Sequence, residues 1–429
     1  MADAGPWAGR RIHLVGIGGA GMSGWARVAV QLGATVSGSD RAESPALDRL
    51  RALGVTVHVG HRAENVPPGA EVFHSSAIGP DNPERAESRP RADLLRELTG
   101  LKQVIAVAGA HGKTTTSSMI AHALLRAGAA PGYLIGGALR TTGENADWGS
   151  GPWLVVEADE SDRSMLALQT DVAVVLNIEL DHHATYGSLA ELVEVFDRFR
   201  EAVAERVVAP DLARPGDHVF AAQDVVLLPG GSRFTWRGYE VVLAVPGVHN
   251  ASNAAAALEA AALTGADEAA LVAGLADFAG AGRRFERLGR TPSGAEVVDD
   301  YAHHPTEVAA TLAAARSLAP RRLVAVFQPH LYSRTRELHR AFGTALAAAD
   351  VVCVLDVYPA RERAADFPGV SGRLIAEAAA DAAAGRPVLW LPGLDDAQRV
   401  LAELLREGDL VLILGAGDVD RLGRALVAG

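Results

Sequence analysis

Val104-Ile105-Ala106-Val107-Ala108-Gly109-Ala110-His111-Gly112-Lys113-Thr114-Thr115-Thr116 decides how this 429-residue chain is read. An apolar, β-branched run breaks into glycines, then a lysine and threonines, then a helix-like segment from Ser117 to Arg126. That is the layout of a phosphate-binding loop between a strand and a helix. Glycines let backbone N–H groups close on an anion, and a helix N-terminus adds partial positive charge. Lys113 offers a point charge to the outer phosphates, and a hydroxyl at Thr114 or Thr115 can hold Mg²⁺. The full G-x-x-x-x-G-K-[ST] pattern would need glycine where Val107 stands, so the match is to G-x-x-G-K-T.

Lys102 and Lys113 are the only lysines, although lysine plus arginine total 40. A planar guanidinium is too bulky to replace a compact ammonium inside a glycine cradle. Retention at 113 therefore supports the loop, whereas Lys102 reads as chance survival.

Composition bounds the rest. The length suggests about three domains, and 49% hydrophobic residues give each a core. The single cysteine, Cys353, lies in the apolar run Val351–Val357 and reads as a buried thiol, which suits a reducing compartment. Arg10 and Arg11 are followed by glycines too soon for a signal peptide, and no apolar run is long enough to span a bilayer. A cytoplasmic protein without membrane contact is expected. The formal charge of −12 argues against a nucleic-acid partner. It leaves an anionic small ligand possible, because remote carboxylates are screened beyond about 8 Å.

Arg11–Val15 reads as a strand, followed by Gly16-Ile17-Gly18-Gly19-Ala20-Gly21, a helix to about Leu32, and a strand at Thr35–Gly38 ending in Asp40. This is the G-x-G-x-x-G fingerprint. It places a phosphate-bearing ligand at a helix N-terminus, with a ribose or base near Asp40. Strands at Val55–Val59 and Val72–His74, the turn Ser75–Ile78 and the loop Asn82–Arg91 complete a first unit. The second opens at the phosphate loop. Gly136-Gly137 and Gly143–Ala146 read as loops. Trp153–Glu157, leading into Ala158–Asp162, and Val172–Leu176, leading to Asp181, His182 and His183, end strands in hard oxygen donors that suit Mg²⁺. Glu157 and His182 are the favoured ligands, ahead of Glu160, Asp162 and Asp181. Asn250 and Asn253 open an alanine-rich helix, where capping is the first expectation.

Phe278–Gly282 reads as a hinge, and Arg283-Arg284 as either a solvated face or a clamp on a phosphoryl group delivered by domain closure. The last unit carries strands at Glu296–Asp300, Leu323–Gln328, Val351–Val357, Val388–Leu391 and Leu410–Leu414. Polar groups gather beyond their carboxyl ends, at Tyr301-Ala302-His303-His304, His330, Tyr332, Arg334, Tyr358 and Gly415–Asp418. Ligands of open α/β sheets bind there. The expected fold is α/β in three domains, 1–100, 101–281 and 282–429, each a mainly parallel sheet flanked by helices.

These motifs, in this order from Leu14 to Val419, resemble the Mur ligase family: VGIGGAGMS (Val15–Ser23), GAHGKTTT (Gly109–Thr116), EADESD (Glu157–Asp162), GVHNASN (Gly247–Asn253), RRF (Arg283–Phe285), DDYAHHPT (Asp299–Thr306), FQPHLYSRTR (Phe327–Arg336) and Gly415–Asp418. The resemblance implies a ligase that uses ATP and Mg²⁺ to join L-alanine to the lactyl carboxylate of UDP-N-acetylmuramate through an acyl phosphate. It implies a UDP-substrate site at Gly16, Gly18, Gly19, Ala20, Gly21, Asp40 and Ser75. ATP is expected on Gly109, Ala110, His111, Gly112, Lys113, Thr114, Thr115, Asn250, Asn253, Arg284 and Asp300. The metal falls to Thr114, Thr115, Glu157 and His182, and the amino acid to Tyr301, His303, His330 and Arg334. Lys113, Glu157, His182, Arg284 and His303 are the expected catalytic set, in a monomer or homodimer. The sequence departs from the family in three ways: Ala110 replaces a threonine, Leu331 a common arginine, and no lysine follows His182 to be carbamoylated. A sister ligase adding a preformed peptide, a regulatory P-loop ATPase and a nicotinamide-dependent dehydrogenase are the competing readings. The last would leave Lys113 idle.

Overall fold

The computed structural model describes residues 5–181 and 185–429, the side chain of Ala20 excepted. Its strands form four sheets among the described residues. In the first, Arg11–Val15 lies between Thr35–Asp40 and Glu71–His74, with Thr56–Val59 and Arg89–Pro90 at the edges. All its pairs are parallel. Parallel neighbours need long crossovers, which the helices Ala20–Gln31 and Pro45–Ala52 supply. Pro45 starts the second of these, and Ser44 Oγ caps it by accepting from the Leu47 amide.

The second sheet runs His218–Val219, Glu205–Val208, Val172–Val175, Gln103–Ala108, Trp153–Glu157, Gly132–Leu139, Glu144–Asp147. Val104 through Ala108 are fully buried, as a central parallel strand covered on both faces must be. Only its last pair is antiparallel. Two expectations change here. Gly136 and Gly137 are strand residues, and Glu144–Ala146 belong to the opposing strand. The helix after the phosphate loop starts at Lys113 rather than Ser117.

A small antiparallel sheet, Gln223–Leu228, Gly231–Trp236 and Tyr239–Leu243, was not foreseen. Its turns sit at Gly230 and at Arg237-Gly238, all with positive φ, the usual chemistry of tight hairpins. The fourth sheet is ordered Glu286–Arg290, Glu296–Asp300, Asp409–Leu414, Arg322–Phe327, Val351–Val354, Val388–Trp390. Its antiparallel edge strand Glu286–Arg290 was missed. Cys353 is buried in it, and burial pushes its thiol up to about 12, so it is inert.

The chain forms two compact units. One holds residues 5–180, Ser188–Ala221 and Asn253–Leu275, and so contains the first two sheets. The other holds Asp181, residues 185–187, Ala222–Ser252 and Ala276–Gly429. Among the described residues no helix is long and apolar enough to cross a membrane.

Candidate functional site

The phosphate loop turns where only glycine is at ease. Gly109 and Gly112 have φ of 148° and 85°. A Cβ on Gly112 would stand 2.7 Å from Asn253 Oδ1, so that side chain reaches the loop. Asn177 braces the other side, accepting from the His111 amide at 2.9 Å and donating to the His111 carbonyl at 3.0 Å. His111 Nε2 also meets Glu179 at 2.8 Å. Lys113 folds back along the loop. Its ammonium donates to the Gly109 carbonyl at 2.5 Å and to Glu160 Oε1 at 2.9 Å. Burial opposes the charge, but Glu160 and Asp159 outweigh it and hold the ammonium above the ordinary lysine value. Glu160 is therefore the counter-ion of Lys113.

Glu157 and Thr114 converge beside the loop. A Cβ on Gly136 would stand 3.0 Å from both Glu157 carboxylate oxygens and 3.1 Å from Thr114 Oγ1. The glycine strand thus makes room for two hard oxygen donors, and that donor set fits Mg²⁺. Thr114 is buried and Thr115 half-buried. His182 lies outside the described residues. Lys102 is corrected outright. Its ammonium donates to the carbonyls of Trp148, Gly149 and Gly151 at 2.6, 3.0 and 2.6 Å, so it survives as a cross-link between chain segments.

The first glycine loop is built differently. Gly16, with φ of 82°, and Ile17 donate their amides to the Ser39 carbonyl. Asp40 Oδ2 accepts from the Gly18 amide at 2.8 Å. Asp40 thus braces the loop directly. Ser75 borders Gly16, at 3.2 Å from where a Cβ would stand. Arg91 ties the acids after the strand Trp153–Glu157 to the edge of the first loop. Nη2 donates to Asp159 at 2.7 Å and Nε to Asp162 at 2.8 Å, while Nη1 stands 3.7 Å from a Cβ placed on Gly21. Arg91 holds the Asp159 carboxyl well below the usual range against the effect of burial. Sequence reasoning missed Arg91, because nothing local ties it to acids 68 and 71 residues away.

In the second unit the paired arginines part company. Arg283, with φ of 57°, donates to Asp299 at 3.0 Å and to the Gly415 and Gly417 carbonyls at 2.7 and 3.0 Å. It is a structural strut. Arg284 lies over the Tyr301 ring at 5.1 Å and near Glu307 at 3.8 Å. Both Asp300 oxygens accept backbone amides, from Phe285 and Ala302 at 2.8 Å each, so Asp300 shapes the turn before the histidines. Asn250 sits inside the helix Val248–Ala262 and donates to the Pro246 carbonyl at 2.7 Å. The capping expectation fails there because the helix begins earlier.

Tyr301, His303, His330 and Tyr358 form a chain of ring contacts at 5.4, 6.2 and 5.8 Å. Burial pushes His303 down to about 4 and His330 to about 3, so both are neutral at neutral pH. Arg334 completes the cluster and was expected to contact the amino acid. It is buried and gripped by Asp181, with Nη2 at 2.9 and 3.0 Å from the two carboxylate oxygens. Asp181, weighed from sequence as a metal ligand, is its partner. Leu331 is buried with φ of 73° just before the helix Tyr332–Leu346.

Comparisons with known proteins bear on this arrangement. Residues 11–93 match the Mur ligase family, catalytic domain; residues 107–211 the Mur ligase middle domain; and residues 283–417 the Mur ligase, glutamate ligase domain. A Streptomyces avermitilis protein named UDP-N-acetylmuramate–L-alanine ligase is 45% identical, over 99% of this chain and 98% of its own length. An Acidithiobacillus ferrooxidans protein of that name is 45% identical over 96% of each. The solved structure of a UDP-N-acetylmuramate–alanine ligase from Thermotoga maritima superposes with a TM-score of 0.84 at 28% identity, covering 97% of this chain and 98% of that one. A murein peptide ligase from Psychrobacter arcticus, 23% identical, shares the fold with a TM-score of 0.71 over 98% of each chain. With all three family segments matched in order, and relatives aligned nearly end to end, the chain belongs to the Mur ligase family.

Proposed function

We propose that this chain is an ATP-dependent ligase that joins L-alanine to the lactyl carboxylate of UDP-N-acetylmuramate, in the cytoplasmic synthesis of peptidoglycan precursors. One observation carries the reading. Two glycine loops stand in one compact unit, only the second has a lysine, and Asp159, which acts on that lysine, is bonded by Arg91 beside the first loop. Such a unit can hold two different phosphorylated molecules.

A carboxylate is a poor acyl donor, and phosphorylation by ATP turns one of its oxygens into a good leaving group. Lys113 stabilises charge on the moving phosphoryl group. Thr114 and Glu157 are the described residues that would hold Mg²⁺, which supplies further charge neutralisation at the phosphates. Gly16–Gly21 with Ser75 holds the UDP part, and His303, His330 and Arg334 receive the amino acid.

The test is an ATPase assay with UDP-N-acetylmuramate and a panel of L-alanine, glycine and L-serine. Hydrolysis should require both acid and amine, and favour L-alanine. ¹⁸O placed in the carboxylate should appear in the released phosphate; label retained wholly in the amide would exclude an acyl phosphate. Binding of NADH in a spectroscopic titration would revive the dehydrogenase reading.

A further inference from the structure

The arginines on the polar loops of the second unit are mostly paired. Arg283, Arg284, Arg334 and Arg363 each face a carboxylate, at 3.0, 3.8, 2.9 and 3.2 Å. Arg334 is the most fully committed. Its Nε and Nη2 serve Asp181, and its Nη1 donates to the carbonyl and to Nδ1 of His330. Its charge is balanced before any ligand arrives. Leu331 is apolar and buried, so the segment His330–Arg334 has no second cation to offer.

Arg361 is the exception. It is exposed, and it has no hydrogen-bond or ion-pair partner among the described residues. The turn that carries it is pinned on both sides. The Tyr358 amide donates to the Pro329 carbonyl at 2.8 Å, and the Leu331 amide donates to the Tyr358 carbonyl at 3.0 Å. The Tyr358 ring stacks on His330 at 5.8 Å. On the far side the Glu362 amide closes the turn onto the Pro359 carbonyl at 2.8 Å, and the Glu362 carboxylate accepts from the Ser333 amide at 2.9 Å. Ala360 is held at φ of 49°, a strained value for a residue with a side chain, kept only where the surroundings impose it. Position 361 is therefore fixed near His330. Burial does most to keep that ring neutral, and the charge of Arg361 adds to the effect of His303 and Arg334.

His330 supplies a second donor. A guanidinium only donates, so Nδ1 of His330 accepts from Arg334 and the ring proton sits on Nε2. A neutral N–H and an unpaired guanidinium on adjoining segments are what a carboxylate takes.

We propose that Arg361 binds the carboxylate of the incoming amino acid and makes the site select an α-amino acid over a neutral amine. This rests on the ligase reading above. Arg334 keeps Asp181 and forms a wall of the site. To recruit Arg334 the carboxylate would have to break a buried ion pair, whereas Arg361 gains a first partner, in the forked geometry that suits a guanidinium.

The experiment compares two amines on the full chain, supplied with ATP, Mg²⁺ and UDP-N-acetylmuramate. One is L-alanine. The other is L-alaninamide, which keeps the amine and the methyl group but carries a neutral amide in place of the carboxylate. In Arg361→Ala the KM for L-alanine should rise about tenfold or more, with kcat within about twofold of the wild type. The KM for L-alaninamide should stay where it was, so the preference for L-alanine over its amide collapses by the same factor. An unchanged KM for L-alanine would overturn the proposal. So would an equal rise for both amines, which would mean that Arg361 only shapes the turn. A wild-type chain that makes no product with either amine would overturn the ligase reading itself.

Discussion

The two glycine loops of the first unit share a backbone plan and differ in charge. Each follows a buried parallel strand and opens a helix. At Gly16–Gly21 the brace is a carboxylate, Asp40, on the Gly18 amide. At Gly109–Gly112 the brace is a neutral amide, Asn177, and the charge is an ammonium balanced by Glu160. A strand–glycine–helix turn by itself specifies only that an anion is welcome. The neighbours on adjacent strands decide how much charge the loop can offset, and so which phosphates belong there.

The largest effect should come from removing the charge of the second loop. Lys113→Ala is expected to cut turnover by about 10²–10³-fold or more. It also breaks the buried ion pair with Glu160, a change that typically costs about 3–5 kcal/mol. Adding Glu160→Gln should recover thermal stability without recovering turnover. Recovery of both, read by melts and initial rates, would mean Lys113 is only structural.

Next comes the brace of the first loop. Hydrogen bonds to a charged group contribute about 1.5–3 kcal/mol, so Asp40→Asn should raise the KM for UDP-N-acetylmuramate about tenfold and leave the KM for ATP unchanged. An equal rise in both constants would erase the distinction between the loops.

A smaller effect separates the glycines. Gly112→Ala places a side chain at positive φ and 2.7 Å from Asn253 Oδ1, and strain of about 1–2 kcal/mol is expected. Gly19 has φ of −64° and nothing nearer than 3.5 Å to a new Cβ. Gly19→Ala should melt like the wild type. Equal Tm losses would contradict the geometry.

The smallest concerns pH. The first loop rests on Ser39, whose hydroxyl meets His61 and the buried Glu84, and Glu84 meets His13 at 3.3 Å. Burial holds the His13 imidazole below its ordinary value against the pull of Glu84. A depressed folded value means stability present above about pH 6.5 and lost as pH falls below it. Each kcal/mol lost would lower Tm by about 2–4 °C. His13→Asn should flatten the Tm profile between pH 7 and 5; an unchanged slope would remove His13 from the account.

The sequence by itself determined the α/β class, both loops, the acid-bearing strand ends and the family. Those signals are local: glycines where φ must be positive, apolar runs where a strand is buried, a lysine kept where arginine would not fit. Tertiary structure decided the partners. Glu160 on Lys113, Arg91 on Asp159 and Asp181 on Arg334 are pairings set by which strand ends and loops the fold brings together. Electrostatic attraction acts through space, and no spacing along the chain encodes it. The same reason explains Lys102: only the fold shows three carbonyls closing on its ammonium, where the sequence offered a residue left over.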